Sequence, residues 1–555
     1  MPVNSPTSFR AVITTLNSKY IHSSLGIWYL LAGIKCYAPD INACVIEGTV
    51  NEKMSDYSDR LICEKPDIIG FSCYIWNITC ILEVIEQVKA ALPKCVIVLG
   101  GPEADYNTAP LLDFADYILR GDGEKSFSAL VSRIKNGGDI KDIDGICYKS
   151  DNEKIISPPA ITSDNPCDPY LPEFFESLNG RIAYLETSRG CPYSCAFCLS
   201  GISKVCFFDE ERAKNDIIRL ANSCAKTIKL VDRTFNANAR RAERLTRFII
   251  GNYGDKIPLG TCFHFEIAGD ILSDGLLDAY SKAPIGAVQL EIGLQSFNEQ
   301  TLRAVRRKTD TDKLTKNIEK IISFGNIHLH IDLIVGLPHE DMSSFKDSFN
   351  TAFKLRPHML QIGFLKLLHG SAMRQETQEY PCKYSSTPPY EIISTPWLSA
   401  DEISDLHLFE DAFEHIYNSG RFTRTVSYLM EATGLTPFDL FDRVKCETLS
   451  PALDDYTNEI FEIFVEMAGV DKQILRDCMI CDRLATNSSG VIPSVLKSPD
   501  DELKKIKRVL KTKSIRRTVA ILYSSDEIVY TDYDSKNPVS GEYTLNYIGR
   551  NIYDK

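Results

Sequence analysis

One short stretch decides the fold expected of this chain: Ser188-Arg189-Gly190-Cys191-Pro192-Tyr193-Ser194-Cys195-Ala196-Phe197-Cys198. It places three thiols, Cys191, Cys195 and Cys198, in a C-x3-C-x2-C pattern directly after an apolar run at 182–185 that predicts a strand. A [4Fe-4S] cluster is normally held by four cysteines, so a loop with three leaves one iron open to a ligand that is not protein. The other interpretations are buried structural thiols or a zinc loop, but zinc sites usually show two C-x2-C pairs or added histidines, and neither stands nearby.

The length and composition are those of a soluble protein with several domains. At 555 residues the chain exceeds the size at which single cores stop growing, so about three domains are expected. Apolar residues make up 44% and charged residues 25%, as in ordinary globular proteins. The sequence has no signal-peptide pattern and no apolar run long enough to cross a bilayer, so we expect a cytoplasmic protein without a membrane partner. Thiols stay reduced in the cytosol, so 18 cysteines favour metal ligation over a disulfide framework.

The net charge of -13 disfavours nonspecific attraction to nucleic acid. A local basic run at Arg303, Arg306, Arg307 and Lys308 leaves nucleic acid open as a substrate. We expect a small molecule or a peptide as the substrate rather than a nucleic acid.

Residues 1–150 alternate between strand and helix patterns, with glycines at the strand ends. This alternation predicts an α/β domain with a doubly wound parallel sheet, whose ligand crevice lies at the carboxyl ends of the strands. The predicted strands cover 10–16, 43–47, 68–72, 96–99 and 117–119, and the predicted helices cover 27–36, 54–64 and 79–92.

The rest of the chain divides into three parts. Residues 151–180 are proline-rich and predict a linker without helix or central strand. Residues 181–370 resume the alternation and predict a (βα)6 set, a partial TIM-like barrel with functional groups at the strand ends, in which one helix covers 299–323. Residues 371–555 predict a mainly helical domain, with a capping box at Ser399 and Glu402 and a small β-hairpin over 518–533.

The cysteine loop resembles the signature of the radical S-adenosylmethionine (SAM) superfamily, in which an aromatic residue precedes the third cysteine, as Phe197 does here. The resemblance implies that the three cysteines are the metal ligands and the catalytic centre, holding a [4Fe-4S] cluster whose free iron binds SAM. It also implies reductive cleavage of SAM to a 5'-deoxyadenosyl radical. On this layout Asp232 and Arg233, after the second barrel strand, are candidate contacts to the substrate.

Three further stretches, 264–267, 291–298 and 331–338, resemble the SAM pocket of the oxygen-independent coproporphyrinogen oxidase branch of that superfamily. Carried over by position, Glu266 would accept a hydrogen bond from the SAM amino group and Arg307 would bind its carboxylate. Gln295 and Asp332 would hold the ribose hydroxyls. Glu291 is the alternative to Glu266, and a surface ion pair is the competing interpretation of each residue.

The stretches 68–72, 99–103 and 121–124 resemble the cobalamin-binding domain found ahead of many radical SAM cores. The resemblance implies cobalamin contacts from Ser72, Gly100, Gly101, Glu103, Gly121 and Glu124. In a related D-x-H-x-x-G motif the histidine coordinates cobalt, but here Tyr20 replaces the aspartate, and His22 stands one residue further from Gly26. His22 is therefore either a cobalt ligand or a loop residue, and a domain that binds nothing is a further alternative.

The order of these regions, together with the stretch 418–422, resembles an uncharacterised group of cobalamin-binding radical SAM proteins with a C-terminal domain of unknown function, similar to DUF4080. The resemblance covers nearly the whole chain, with domains expected at 1–150, 181–370 and 371–555. A lone C-x2-C at Cys478 and Cys481 leaves an auxiliary metal or redox role open.

The resemblance implies a [4Fe-4S] cluster, SAM and cobalamin as cofactors, and a one-electron reductant such as flavodoxin or ferredoxin. Our main hypothesis is an enzyme that methylates an unactivated carbon of an unknown substrate. It predicts two SAM consumed per methylation, one released as S-adenosylhomocysteine and one as 5'-deoxyadenosine. The alternatives are oxidation, cyclisation or rearrangement without methyl transfer, and a sensor that binds cobalamin or SAM.

Overall fold

The computed structural model describes residues 9–151, 153–202, 204–445, 452–498, 501, 503, 504, 506, 518–531 and 533–550. The chain divides into two units. The first contains Met1–Lys282, Val305–Lys308 and Leu365–Ile392, and the second contains Ala283–Ala304, Thr309–Phe364 and Ile393–Lys555. The first three predicted barrel strands lie in the first unit and the last three lie in the second.

The N-terminal sheet of the first unit has seven strands: β1 (Arg10–Asn17), β2 (Asn42–Thr49), β3 (Ile68–Ser72), β4 (Val96–Gly100), β5 (Tyr117–Leu119), β6 (Ile146–Ser150) and β7 (Glu153–Ile156). Their spatial order is β2-β1-β3-β4-β5-β6-β7. The first five pair in parallel, as the alternation predicts, but β6 and β7 are antiparallel. The tight turn at Asp151, where φ is 48°, joins β6 and β7 as an antiparallel hairpin at the edge of the parallel sheet.

Six helices connect these strands: α1 (Leu25–Tyr37), α2 (Met54–Cys63), α3 (Ile78–Ala91), α4 (Pro102–Tyr106), α5 (Thr108–Leu111) and α6 (Gly123–Asn136). Strand β3 is buried along its whole length, as expected of a parallel strand covered on both faces. Helices α1 and α6 approach closely at Gly33, where a Cβ would lie 2.5 Å from the carbonyl oxygen of Glu124. This close packing fixes the start of α6 beside the sheet.

The stretch predicted as a linker without helix contains α7 (Pro172–Ser177), and part of it pairs as β7. The prediction of a segment without helix was wrong because Pro172 stands in the first turn of α7. Backbone N–H groups in a first turn have no hydrogen-bond partner within the helix, so a proline is tolerated there. Phe174 is fully buried and packs edge to face on Trp28 of α1, with ring centroids 5.6 Å apart. Burial of Phe174 therefore ties this segment to the N-terminal sheet.

The first unit also holds half of the barrel pattern. Its strands are β8 (Ala183–Leu185), β9 (Ser188–Arg189), β10 (Cys206–Phe207), β11 (Thr227–Leu230) and β12 (Cys262–Ile267), and its helices are α8 (Glu210–Ala221), α9 (Ala239–Asn252) and α10 (Asp274–Ser281). Strands β8, β11 and β12 are parallel neighbours in that order. The short strands β9 and β10 pair antiparallel and close the base of the cysteine loop.

The second unit holds the remaining parallel strands, β13 (Val288–Gln295), β14 (His328–Val335) and β15 (Met359–Phe364), in that order. Its helices here are α11 (Glu299–Ala304), α12 (Thr311–Phe324) and α13 (Met342–Lys354). The single helix predicted over 299–323 is therefore wrong. Arg306, between the two helices, has a φ of 59°, which no continuous right-handed helix accommodates.

The C-terminal region is mainly helical, as predicted. After α14 (Ala372–Gln375), β16 (Lys383–Tyr384) and β17 (Ile392–Ser394) come α15 (Ala400–Phe413), a π-helical turn (Glu414–Asn418), α16 (Thr423–Thr433), α17 (Pro437–Asp442), α18 (Leu453–Phe464) and α19 (Lys472–Thr486). The capping box of Ser399 and Glu402 forms at the start of α15. Phe349 of α13 packs edge to face on Phe409 and Phe413 of α15, with ring centroids 5.0 Å apart in both pairs.

The predicted hairpin is present as β18 (Thr518–Leu522) and β19 (Glu527–Thr531). A third antiparallel strand, β20 (Asn546–Gly549), extends it into a three-stranded sheet that the sequence did not predict. Within the described residues no helix is long and apolar enough to cross a membrane.

Candidate functional site

The three predicted cluster cysteines lie on the loop between β9 and β10, which we call the cluster loop. The N–H of Ala196 donates to the carbonyl of Val305 at 3.0 Å, and the N–H of Cys198 donates to the carbonyl of Cys195 at 3.1 Å. Gly201 packs so closely that a Cβ would lie 1.9 Å from the carbonyl oxygen of Tyr193. Backbone contacts therefore set the path of the loop, and Gly201 is a requirement that the cysteine spacing does not reveal.

Each cysteine sulfur has a polar neighbour. Thr234 Oγ1 lies 3.5 Å from Cys191 Sγ, the N–H of Ser200 donates to Cys198 Sγ at 3.4 Å, and Arg307 Nη1 donates to Cys195 Sγ at 3.6 Å. Burial raises the pKa of the Cys195 thiol, and the charge of Arg307 opposes that shift. Three thiols on one loop, with donors around the sulfurs, are the donor set that fits a cluster held by three cysteines.

Arg189 precedes this loop and binds three carboxylates at once. Its guanidinium contacts Asp122 at 2.5 Å, Glu124 at 2.7 Å and Glu186 at 3.0 Å. Its side chain is 14% exposed and lies over the ring of Tyr29 at 4.8 Å. The N-terminal sheet domain and the cluster loop are therefore joined by buried ion pairs. Sequence reasoning missed this role, although Arg189 stands only two residues before Cys191.

Asp232, predicted as a substrate contact, is buried and turned toward the strand that leads into the cluster loop. Its carboxylate accepts hydrogen bonds from the N–H of Thr187 at 2.7 Å, from Thr187 Oγ1 at 2.7 Å and from Ser188 Oγ at 2.6 Å. Burial raises the pKa of Asp232, and these hydrogen bonds oppose the shift. The prediction for Asp232 is wrong, since the carboxylate fixes the loop entrance.

A cavity of about 180 Å³ opens at the carboxyl ends of β3, β4 and β5, and we call it the tail slot. Its lining includes five of the six residues predicted to contact cobalamin: Ser72, Gly100, Gly101, Gly121 and Glu124. Gly101 has a φ of 87°, and a Cβ there would lie 2.8 Å from the carbonyl oxygen of Cys73. The slot therefore depends on close backbone approach, which is the cradle that a nucleotide tail fits.

Glu103 is the predicted contact that does not line the slot. Its Oε1 accepts hydrogen bonds from Tyr390 Oη at 2.5 Å and from Asn107 Nδ2 at 3.1 Å, and the residue is buried. A carboxylate already engaged in this way holds α4 in place. We therefore leave Glu103 out of the cobalamin site.

A second cavity, of about 440 Å³, adjoins the tail slot, and we call it the wide cavity. Both cavities are lined by Gly26, Tyr29, Tyr74 and Arg189. Trp76, which also lines the wide cavity, stacks on Tyr74 with ring centroids 4.3 Å apart and is 49% exposed. A flat aromatic pair beside a slot fits a large planar ligand such as a corrin ring.

His22 lines the wide cavity, with Nδ1 2.8 Å from the hydroxyl of Tyr184. Burial lowers the pKa of His22, which favours the neutral ring that ligates metals. This contact occupies Nδ1, so Nε2 is the nitrogen that could ligate a metal. Both interpretations of His22, as a cobalt ligand and as a loop residue, are consistent with this geometry.

The predicted SAM residues are divided between the units. In the first unit, Arg307 faces the cluster loop, and Glu266 on β12 lies 4.0 Å from Lys229 Nζ. In the second unit, Gln295 ends β13, and Asp332 lies on the neighbouring strand β14. Gln295 has a φ of 77° at an irregularity in the strand pairing, and strained residues of this kind concentrate at functional sites.

Glu340 supports this part of the second unit and was missed by sequence reasoning. It is fully buried, and its Oε1 accepts hydrogen bonds from Ser296 Oγ at 2.6 Å and from Ser348 Oγ at 3.0 Å. Burial raises the pKa of Glu340 to about 7. Ser296 directly follows the strained Gln295, so Glu340 positions the turn that carries the predicted ribose contact. The sequence did offer one signal for this role, because Glu340 lies only five residues after the end of β14.

Cys478 and Cys481 lie on one face of α19, and burial raises their pKa values to about 12 and about 11. A raised pKa keeps both thiols protonated at neutral pH, so neither is a reactive thiolate on this helix. The auxiliary metal role thus gains no support.

Family models match three parts of the chain in the predicted order. The model described as B12 binding domain matches residues 11–131, and the model described as Radical SAM superfamily matches residues 185–352. The chain therefore carries a B12-binding domain followed by a radical SAM domain, and these domains imply cobalamin, a [4Fe-4S] cluster and SAM. A third model, described as Protein of unknown function (DUF4080), matches residues 378–532 and places the chain in the group predicted from the sequence.

The curated relatives of the chain include proteins with methyltransferase names. The 2-(S-pantetheinyl)-carbapenam-3-carboxylate methyltransferase of Streptantibioticus cattleyicolor is 24% identical over 433 residues, which are 68% of this chain and 61% of that protein. The cobalamin-dependent radical SAM methyltransferase TokK of Streptomyces tokunonensis is 25% identical over 315 residues, which are 53% of this chain and 46% of TokK. The chain thus spans between about half and three fifths of the length of these relatives.

Two solved structures share the fold. The cobalamin-dependent S-adenosylmethionine radical enzyme OxsB, with aqua-cobalamin bound, aligns with a TM-score of 0.59 at 14% identity, over 86% of this chain and 79% of OxsB. The radical S-adenosylmethionine methyltransferase TsrM of Kitasatospora setae, with cobalamin and a [4Fe-4S] cluster bound, aligns with a TM-score of 0.56 at 15% identity, over 67% of this chain and 75% of TsrM. The predicted fold class is confirmed.

Proposed function

We propose that this chain is a cobalamin-dependent radical SAM enzyme that methylates an unactivated carbon of its substrate. The observation that carries the proposal is the arrangement of the first unit, in which the tail slot and the wide cavity share Arg189 as a wall. Arg189 stands two residues before the first cluster cysteine, Cys191. A cobalamin seated in these cavities would therefore lie beside the loop that carries the cluster, as methyl transfer to a substrate radical requires.

The chain's own residues hold and orient the cofactors. Cys191, Cys195 and Cys198 would ligate the cluster, and Arg307, already bonded to Cys195 Sγ at 3.6 Å, would turn its remaining N–H groups to the SAM carboxylate. Glu266, Gln295 and Asp332 would accept hydrogen bonds from SAM. When bound, the cluster supplies the electron for SAM cleavage and the cobalamin supplies the methyl group.

The substrate side is less constrained by the residues. Arg233 also lines the wide cavity, and its cation suits a small molecule or a peptide with an anionic portion. A one-electron reductant, such as flavodoxin or ferredoxin, is required for SAM cleavage. The domain boundaries at 150, 180 and 370 remain a prediction.

The test uses anaerobically reconstituted, cobalamin-loaded protein with SAM labelled by carbon-13 in its methyl group, a chemical reductant and a metabolite extract. We expect S-adenosylhomocysteine and 5'-deoxyadenosine together, and a new labelled product heavier by one methylene. Deoxyadenosine without S-adenosylhomocysteine or a labelled product would refute methylation and favour oxidation, cyclisation or rearrangement. No SAM turnover under any condition would favour a sensor.

A matched control separates cluster chemistry from nonspecific reduction. Cys191→Ala, with Cys195 and Cys198 also changed to Ala, removes the cluster ligands and should abolish both products. Cys224→Ala changes an exposed cysteine of the same unit and should leave product formation unchanged.

A further inference from the structure

The second unit contains a cavity of about 450 Å³ at the amino-terminal ends of β14 and β15. Four segments enclose it: the start of β14 at His328, the chain from α13 to β15, the stretch from the π-helical turn through α16, and the loop around Val539. Small-molecule sites have volumes of about 300–1,000 Å³, so the cavity has room for one small organic ligand. No role predicted from the sequence falls on these residues.

Hydrogen bonds fix the walls of this cavity. The Asn418 side chain forms two hydrogen bonds with the backbone of Leu360: its Oδ1 accepts from the N–H at 3.0 Å, and its Nδ2 donates to the carbonyl at 3.0 Å. His328 Nδ1 donates to the carbonyl of Val539 at 2.7 Å, and Tyr417 Oη donates to the carbonyl of Pro357. The barrel strands, the C-terminal helices and the late loop thus form one built site and not a chance gap.

The floor of the cavity is apolar. It is lined by Phe353, Pro357, Val426, Met430 and Val539, and the ring of Tyr417 adds to it. Phe353 and Tyr417 pack together with ring centroids 4.7 Å apart. A ligand that fits this floor needs an apolar body.

The rim of the cavity carries uncompensated positive charge. Lys354 and Arg356 line it, both are exposed, and neither forms an ion pair with any residue in the described part of the chain. Glu542 is the carboxylate in the lining, and Arg424 already binds both of its oxygens, at 2.9 Å and 3.1 Å. An anionic ligand in this cavity would therefore lie near the cations of Lys354 and Arg356, while the carboxylate of Glu542 is already neutralised by Arg424.

His358 adds a directed donor. Its Nδ1 accepts a hydrogen bond from the N–H of Leu329 at 3.2 Å, which fixes the proton of the neutral ring on Nε2. Nε2–H is then available to an acceptor in the cavity that His358 lines. Donor and cations together favour an oxyanion.

We propose that this cavity is a second binding site, for a small organic anion that joins an apolar body to a carboxylate or phosphate group. The site is separate from the predicted catalytic end of the barrel. His328 begins β14 and Val335 ends it, and eight strand residues span about 23 Å between the first and last Cα atoms. A ligand at the start of β14 does not reach the carboxyl ends of the barrel strands, so the site takes a molecule other than the substrate. The proposal therefore does not rest on the proposed function.

The test is saturation-transfer NMR on the full-length, cobalamin-loaded protein. The probes are benzoate and phenyl phosphate, with benzyl alcohol as the neutral match of the same ring size. We expect saturable transfer to benzoate or phenyl phosphate at millimolar concentration, and the stronger of the two identifies the anion. Transfer to benzyl alcohol should be at least threefold weaker.

Two variants assign the signal to the cavity. Ser427→Trp fills the space from an exposed position on α16 and should abolish transfer to all three probes. Lys354→Gln combined with Arg356→Gln should reduce anion transfer at least threefold and leave benzyl alcohol unchanged. Lys316→Gln combined with Lys320→Gln removes equal charge from exposed positions on α12 and should change nothing. Absence of anion transfer to the wild type, or unchanged transfer in both cavity variants, would overturn the proposal.

Discussion

Replacing Arg189 with methionine removes one buried cation and leaves three carboxylates facing each other. Arg189 is 14% exposed, and its partners Asp122, Glu124 and Glu186 are 21%, 9% and 13% exposed. Removing one partner of a buried ion pair costs about 3–5 kcal/mol, because the remaining charge is left uncompensated. We expect Arg189→Met to lose free energy of unfolding in this range. At about 2 °C per kcal/mol for a body of this size, Tm would fall by roughly 6–10 °C.

The loss should depend on pH in a defined direction. Burial raises the pKa of Glu186, and the charge of Arg189 opposes that shift, so the pKa rises further in the variant. A carboxyl whose pKa is higher in the folded than in the unfolded chain stabilises the fold when protonated, and this stability is lost as pH rises through the folded value. The deficit of Arg189→Met relative to wild type should therefore be smaller at pH 5 than at pH 8.

The assay is thermal unfolding of the cobalamin-loaded protein at both pH values, together with cobalamin retained after gel filtration. Arg244→Met is the matched control, because Arg244 pairs with Glu210 at the surface of the same unit, where an ion pair contributes at most about 1 kcal/mol. Adding Glu186→Gln to Arg189→Met should recover part of the loss. A deficit no larger than that of Arg244→Met, or one that does not change between pH 5 and pH 8, would refute the reasoning.

Four other predictions concern the cofactor sites and Glu340. Gly101→Ala should destabilise the fold by at least about 1–2 kcal/mol in thermal unfolding, because φ is 87° and the Cβ would contact Cys73. Gly100→Val should keep Tm but lose bound cobalamin, because a Cβ there has no contact closer than 3.5 Å and the residue lines the tail slot; retained cobalamin would contradict this. The wild type should lose free energy of unfolding, on the order of 3 kcal/mol, as pH rises from 4.5 to about 7, because the buried Glu340 then ionises. Glu340→Gln should remove this loss. Parallel pH profiles of the two proteins would count against the role of the buried acid. The triple Cys→Ala variant of the cluster loop should lose the roughly four irons expected per chain, and unchanged iron content would refute the ligand assignment.

Local patterns predicted the elements, and long-range contacts decided the rest. The cysteine spacing and the strand-helix alternation act over a few residues, so the cluster loop and the parallel strands could be read directly. Arg189 could be read as part of the motif, but its partners Asp122 and Glu124 lie 67 and 65 residues away in the chain. Asp232 looked like a substrate contact because it follows a strand, and only the fold brings Thr187 to it.

The same limit explains the other corrections. Glu103 stands in a predicted cobalamin stretch, but its partner Tyr390 is 287 residues further along the chain. Pro172 counts against helices in general, yet it is tolerated in a first turn. The break at Arg306 rests on a single backbone angle that no residue pattern predicted.

The strand pair β9–β10 has a consequence for how the cluster site assembles. It closes the chain segment 190–205, which contains all three cysteines, through contacts that need no metal. Closing a flexible loop of this length costs about 2.5 kcal/mol in chain entropy. Because the protein bears this cost when it folds, binding of a cluster to the three cysteines does not have to close the segment.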